Sequence, residues 1–245
     1  MRASFGEKPD PGSTMPVLSS VYSIKESQSR FESCGGAVCM DHFVPADSGR
    51  SFPAVIGLHG WSGGHASMAE PAAALAAEGF AVYVLHYFDR SGPVEAHKGA
   101  LVRHFPGWMR VLWDAVSHVE RQGAVDSARI GLLGFSLGAY LALCNSAIDC
   151  RIRAVVECFG GFPREMKLFT RRLCPVLILH GEADSVIPVE EAYHLQAMMR
   201  SKGIPHAMQI YAGVGHGFEG ETRRDASART LAFFNRYLKG ESPTG

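Results

Sequence analysis

Residues 130–148 read Ile130-Gly131-Leu132-Leu133-Gly134-Phe135-Ser136-Leu137-Gly138-Ala139-Tyr140-Leu141-Ala142-Leu143-Cys144-Asn145-Ser146-Ala147-Ile148, a run without a single charge. Its length is that of a membrane-spanning helix, but three glycines and the polar Ser136, Asn145 and Ser146 interrupt it. Two shorter pieces fit better: a strand over Ile130–Leu133, a tight turn through Gly134-Phe135-Ser136-Leu137-Gly138, and a buried helix over Leu137–Ile148. A serine on such a turn projects its hydroxyl clear of the backbone. The helix that follows points its first N–H groups toward any negative charge that forms beside that hydroxyl.

The same alternation extends outward in both directions. Apolar runs of strand length occur at Ala54–Leu58, Ala81–Leu85, Ala154–Glu157, Val176–Leu179 and Ala207–Tyr211. Helical patterns lie at Ser67–Glu78, Met109–Gln122, Glu190–Ser201 and Thr222–Lys239, each closed by a glycine. Strands that are apolar on both faces and alternate with helices imply an α/β class, doubly wound, with a mostly parallel sheet and helices on both faces. Val21–Lys25 and Ala37–Phe43 are expected to add antiparallel strands at one edge. No repeat or low-complexity block divides the chain. The expected organisation is a partly extended lead-in over residues 1–30 and a single domain over 31–245.

Composition narrows the function classes. The 24 Lys+Arg against 24 Asp+Glu among 245 residues give 24 − 24 = 0, which argues against a broad basic surface for nucleic acid. With 47% apolar and 20% charged residues, the chain has the makings of a real core. Six cysteines without a CxxC pair are expected to be buried free thiols. Residues 1–20 contain no apolar run of signal-peptide type, so cytoplasmic residence is the expectation, with no membrane partner.

In an open α/β sheet, chemistry belongs beyond the carboxyl ends of the strands. The strand Val176–Leu179 runs into His180-Gly181-Glu182-Ala183-Asp184, and the last strand runs into Gly215-His216-Gly217-Phe218. Ser136, Asp184 and His216 thus stand on three strand ends of one sheet edge. A serine hydroxyl needs a base to become nucleophilic, and the base needs an acid to fix its tautomer. The bland alternatives are a turn serine, an N-capping aspartate and a loop histidine. The backbone N–H of Leu137 is the first candidate donor for an oxyanion. The remaining histidines show no HExxH or comparable spacing, so no metal is expected, and hydrolysis by such a triad needs no cofactor.

These motifs together, with Leu58-His59-Gly60-Trp61 and Tyr87-Phe88-Asp89-Arg90-Ser91-Gly92, resemble the α/β-hydrolases, and within them the dienelactone hydrolase family, over about residues 35–240. The resemblance implies the triad Ser136, Asp184, His216 and a second oxyanion donor from the backbone of Trp61. Serine stands where that family places a cysteine, and His59-Gly60 stands where it has an acidic residue. Arg90 matches a family arginine that pairs with a substrate carboxylate, with a structural ion pair as the alternative; Glu219 and Gly220 stand where a second arginine would be. The connection from His86 to Trp108 is the expected source of selectivity, with Phe88, Arg90 and Trp108 as substrate contacts. The implied activity is hydrolysis of a small-molecule ester or lactone by a monomer or homodimer. The alternatives are a peptidase or amidase using the same triad, and a non-catalytic ligand-binding protein on the same scaffold.

Overall fold

The computed structural model describes residues 22–47, 49–61, 64–92, 98–163 and 173–241. Eight strands form one sheet: β1 (Ile24–Ser33), β2 (Gly36–Pro45), β3 (Phe52–Leu58), β4 (Ala81–Leu85), β5 (Val125–Phe135), β6 (Ile152–Cys158), β7 (Val176–Gly181) and β8 (His206–Tyr211). Their spatial order is β1-β2-β4-β3-β5-β6-β7-β8. The β1–β2 hairpin is antiparallel to its neighbour β4, and every later pairing is parallel. The expected class, α/β and doubly wound with a mostly parallel sheet, is the one observed.

Successive side chains of a strand point to opposite faces, so the central strands feed two cores. Ala54, Ile56 and Leu58 of β3 join one cluster, while Val55 joins the other. The first cluster is covered by α2 (Lys98–Val119), α3 (Leu137–Ile148) and α4 (Glu190–Ser201), the second by α1 (Ala69–Ala77) and α5 (Gly220–Phe234). Residues 130–148 lie in β5 and α3. No helix among the described residues is long and apolar enough to cross a membrane.

Several boundaries differ from the sequence expectation. β1 begins at Ile24 and pairs along its whole length with β2, so part of the expected lead-in belongs to the sheet. α2 begins at Lys98 and runs through Pro106, although a proline removes one helical N–H and clashes with the preceding turn. Ala100, Trp108, Val111 and Leu112 bury one side of this helix, and that packing overrides the local break. At the other end, α5 stops at Phe234 and a wider π turn, Asn235–Lys239, follows. The cysteines are all free, but only Cys144, Cys158 and Cys174 are buried; Cys34 and Cys150 are exposed.

Candidate active site

Ser136 sits between the last residue of β5 and the first of α3, with φ 51° and ψ −115°. A left-handed φ is costly for a residue with a Cβ and persists only where the surroundings enforce it. Here they do. A Cβ at Gly134 would collide with the Gly138 carbonyl, and one at Gly138 with the Leu58 carbonyl, so strand, turn and helix approach closer than any other residue permits. Gly60 lies against the other side of the turn, where an added Cβ would be 3.3 Å from that of Ser136. This contact brings the His59-Gly60-Trp61 turn of β3 beside the serine.

The loops after β7 and β8 are zipped together. Glu182 N–H donates to the Tyr211 carbonyl and Ala183 N–H to the Val214 carbonyl, both at 2.9 Å. Gly181 permits this approach, because a Cβ there would collide with the carbonyls of Val214 and Gly215. The zip carries Asp184 to His216. Nδ1 of His216 lies 2.7 Å from Asp184 Oδ2, and its Nε2 lies 3.0 Å from Ser136 Oγ. A carboxylate can only accept, so Nδ1 carries the proton and Nε2 is left to accept from the serine hydroxyl. Asp184 is itself fixed by N–H donors from Val186 at 2.8 Å and Ile187 at 2.9 Å to its Oδ1. Its side chain is fully buried, while that of His216 keeps 21% of its surface exposed. The three residues singled out in sequence are therefore in one hydrogen-bonded line.

Leu137 is the first residue of α3, so its N–H has no acceptor within the helix. Trp61 packs against Phe88 and Trp108, with ring centroids 6.0 and 5.8 Å away. Its turn is further held by Tyr87, whose hydroxyl donates to the His59 carbonyl at 2.7 Å, and by His59 Nδ1, which donates to the Gly60 carbonyl at 2.8 Å. Burial drives the His59 imidazole down to about 4, which keeps it neutral, outweighing the bond to the Gly60 carbonyl.

Two expected substrate contacts are placed elsewhere. Arg90 packs on the backbone of Gly36 and donates to the Cys34 carbonyl at 3.3 Å. That is the β1–β2 turn, and β2 lies three strands from β5, or about 14 Å at the usual spacing. Trp108 is only 1% exposed; its Nε1 donates to Ser91 Oγ, and Phe88 and His104 stack around it. It is a wall behind Trp61 and not a surface. Phe88 borders the same turn, against His59 and Trp61, and is only half-buried.

Residues not singled out in sequence complete the site. Phe159, with φ 44°, sets its ring 4.9 Å from that of His216. His180, fully buried, donates from Nε2 to the Ile187 carbonyl at 2.9 Å and lies 3.4 Å from Asp184 Oδ2. Its place in the His180-Gly181 motif was the available signal. Phe135, Phe159 and Phe218 border an apolar pocket of about 390 Å³ between α1 and α5. A separate cluster, Asp41, His65 and His86, brings possible metal-ligating atoms within 4.8 Å of one another. The two imidazoles, however, stack face to face at 3.7 Å and 15°, so their lone pairs run side by side and do not converge on one ion.

The sequence profile of the dienelactone hydrolase family matches residues 40–238. The chain belongs to the dienelactone hydrolase family. A protein of Yersinia pestis that carries the name carboxymethylenebutenolidase is 24% identical over 210 residues, covering 76% of this chain and 79% of that one. Among solved structures, a protein of Klebsiella pneumoniae described as a dienelactone hydrolase superposes with a TM-score of 0.77 at 21% identity, over 88% of this chain and 100% of that one. A puromycin-hydrolyzing peptidase of Mycobacterium tuberculosis gives 0.76 at 21% identity, over 94% of this chain but 41% of the peptidase. These superpositions establish a shared fold.

Proposed function

We propose that this dienelactone hydrolase family member is a serine hydrolase that cleaves small carboxylic esters or lactones through an acyl-enzyme. The observation that carries the reading is the line Ser136 Oγ, His216, Asp184, with separations of 3.0 and 2.7 Å and the correct tautomer enforced by the buried carboxylate. His216 Nε2 takes the Ser136 proton as Oγ attacks the carbonyl, then returns it to the leaving alkoxide. The same nitrogen then activates a water that releases the acid. Asp184 orients His216 and balances the imidazolium charge. The backbone N–H groups of Leu137 and Trp61 receive the oxyanion, each a contribution of about 3 kcal/mol to the transition state. No step requires a cofactor.

The family relatives named for carboxymethylenebutenolidase activity support an ester or lactone as substrate. The position of Arg90 on the β1–β2 turn favours uncharged substrates over those bearing a carboxylate. Short-chain p-nitrophenyl esters are the direct test, with a fluorophosphonate to label the nucleophile. Ester turnover and labelling that both vanish in Ser136→Ala are expected. Unchanged turnover in that variant would sink the reading, and a rate on p-nitroanilides matching that on esters would redirect it to amide hydrolysis.

A further inference from the structure

Glu157 closes the apolar run of β6, between Gly134 of β5 and Ile178 of β7. The proposed chemistry has no use for it. Its side chain is fully buried; Oε2 accepts the Gly160 N–H at 3.0 Å, and Oε1 has no hydrogen-bond partner. Gly160 is wedged in turn, because a Cβ there would collide with Ala139 and come within 3.1 Å of the Ser136 carbonyl. Between these two residues stands Phe159, in a left-handed conformation that an aromatic residue rarely adopts. Backbone hydrogen bonds flank it: its own N–H to the Leu179 carbonyl at 2.7 Å, and that of Gly160 to Glu157. Strained backbone of this kind persists where its surroundings over-determine it. What the strain holds in place is a ring against the His216 imidazole, 4.9 Å away and edge-on at 68°.

We propose that Glu157 is a positioning residue for the base: by anchoring Gly160, it fixes the turn that stands Phe159 against His216. This inference rests on the reading of His216 as the general base. Its charge state follows from its surroundings. Burial pushes the Glu157 carboxyl up to about 8, against the opposing pull of the Gly160 N–H. The titratable groups facing it are Tyr140 of α3 and Cys158 of its own strand, both themselves pushed up by burial. Beyond Tyr140 lie Glu191 and Asp184, while β5 and β7 contribute the uncharged Gly134 and Ile178. β7 also carries His180, two residues past Ile178 on the same face and buried with Nδ1 unpartnered, and Asp184 stands against both His180 and His216, at 3.4 and 2.7 Å. At neutral pH the anchor is an uncharged acid, and its oxygen accepts the Gly160 N–H in either charge state, more tightly as a carboxylate.

The experiment is a kcat and KM profile on a p-nitrophenyl ester, from about pH 6 to about pH 10, for wild type, Glu157→Gln and Glu157→Leu. Glutamine keeps the shape and the acceptor but cannot ionise; leucine has no acceptor. Glu157→Gln, which keeps the acceptor for the Gly160 N–H, should match wild type within about twofold in kcat and KM across this range. Glu157→Leu should lose about tenfold in kcat with KM changed less than about twofold. A Glu157→Gln loss at neutral pH as large as that of Glu157→Leu, or a Glu157→Leu variant as fast as wild type, would overturn the proposal. Turnover in wild type no greater than in Ser136→Ala would overturn both the proposal and the hydrolase reading; Ser136-dependent turnover that is the same in Glu157→Leu as in wild type would remove the anchor alone.

Discussion

Among the described residues, two His–Asp pairs share a 2.7 Å separation, His216–Asp184 and His86–Asp41. Their surroundings differ. Asp184 is fully buried and held by two backbone N–H groups, and the free nitrogen of His216 faces a serine hydroxyl on a strained turn. Asp41 is partly exposed on β2, held by Gln28 at 2.7 Å, and the ring of His86 is covered by His65. One pair is placed to take a proton from a hydroxyl. The other ties β2 to the end of β4. A His–Asp contact thus carries chemistry only when a third group waits on the far nitrogen and the backbone fixes the acid.

That contrast can be broken by mutation. The largest effect is expected from Ser136→Ala, which should lower kcat by about 10⁴ or more with an unchanged thermal melt. Asp184→Asn should follow with a loss of about 10³ to 10⁴, because the amide can present the wrong tautomer to His216. Asp41→Asn should cost less than about threefold in kcat, together with about 1 kcal/mol of stability in a urea titration. Comparable kinetic losses from the two Asp→Asn variants would erase the distinction. Burial raises the Asp41 carboxyl, but its bonds from Gln28 and His86 outweigh that and hold it below its ordinary 3.8. A depressed carboxyl stabilises the fold above that value and ceases to as pH falls through its folded pKa, so the gap between wild type and Asp41→Asn should close below about pH 4. The smallest effect belongs to Arg90→Ala. It should change turnover of neutral esters less than about twofold, and lose no more on carboxylate-bearing ones, since a salt-screened surface contact is of little consequence.

The readable part of this molecule is local. Gly134-Phe135-Ser136-Leu137-Gly138, His180-Gly181-Glu182-Ala183-Asp184 and Gly215-His216-Gly217-Phe218 each follow an apolar strand, and a parallel sheet delivers all such segments to one edge. Arg90 and Trp108 were harder to place because their roles depend on partners far along the chain: Arg90 on a hairpin turn at Cys34–Gly36, Trp108 on a helix that continues through Pro106. The acidic side chain of Glu157 at the end of Ala154-Val155-Val156 is visible in sequence as an anomaly. Its meaning is not, because the left-handed Phe159 beside it is imposed by packing and by no local propensity.

The close approach of Gly181 to Val214 and Gly215 bears on how this scaffold can be remodelled. Residues 181–184 and 211–216 share backbone hydrogen bonds as two strands of a ribbon would, so they form a single cassette and neither is an independent loop. Replacing one with a segment of different length would shift the other, and with it the imidazole. A loop graft meant to alter selectivity should exchange both segments together, or leave both alone and draw its diversity from the turn around Phe88.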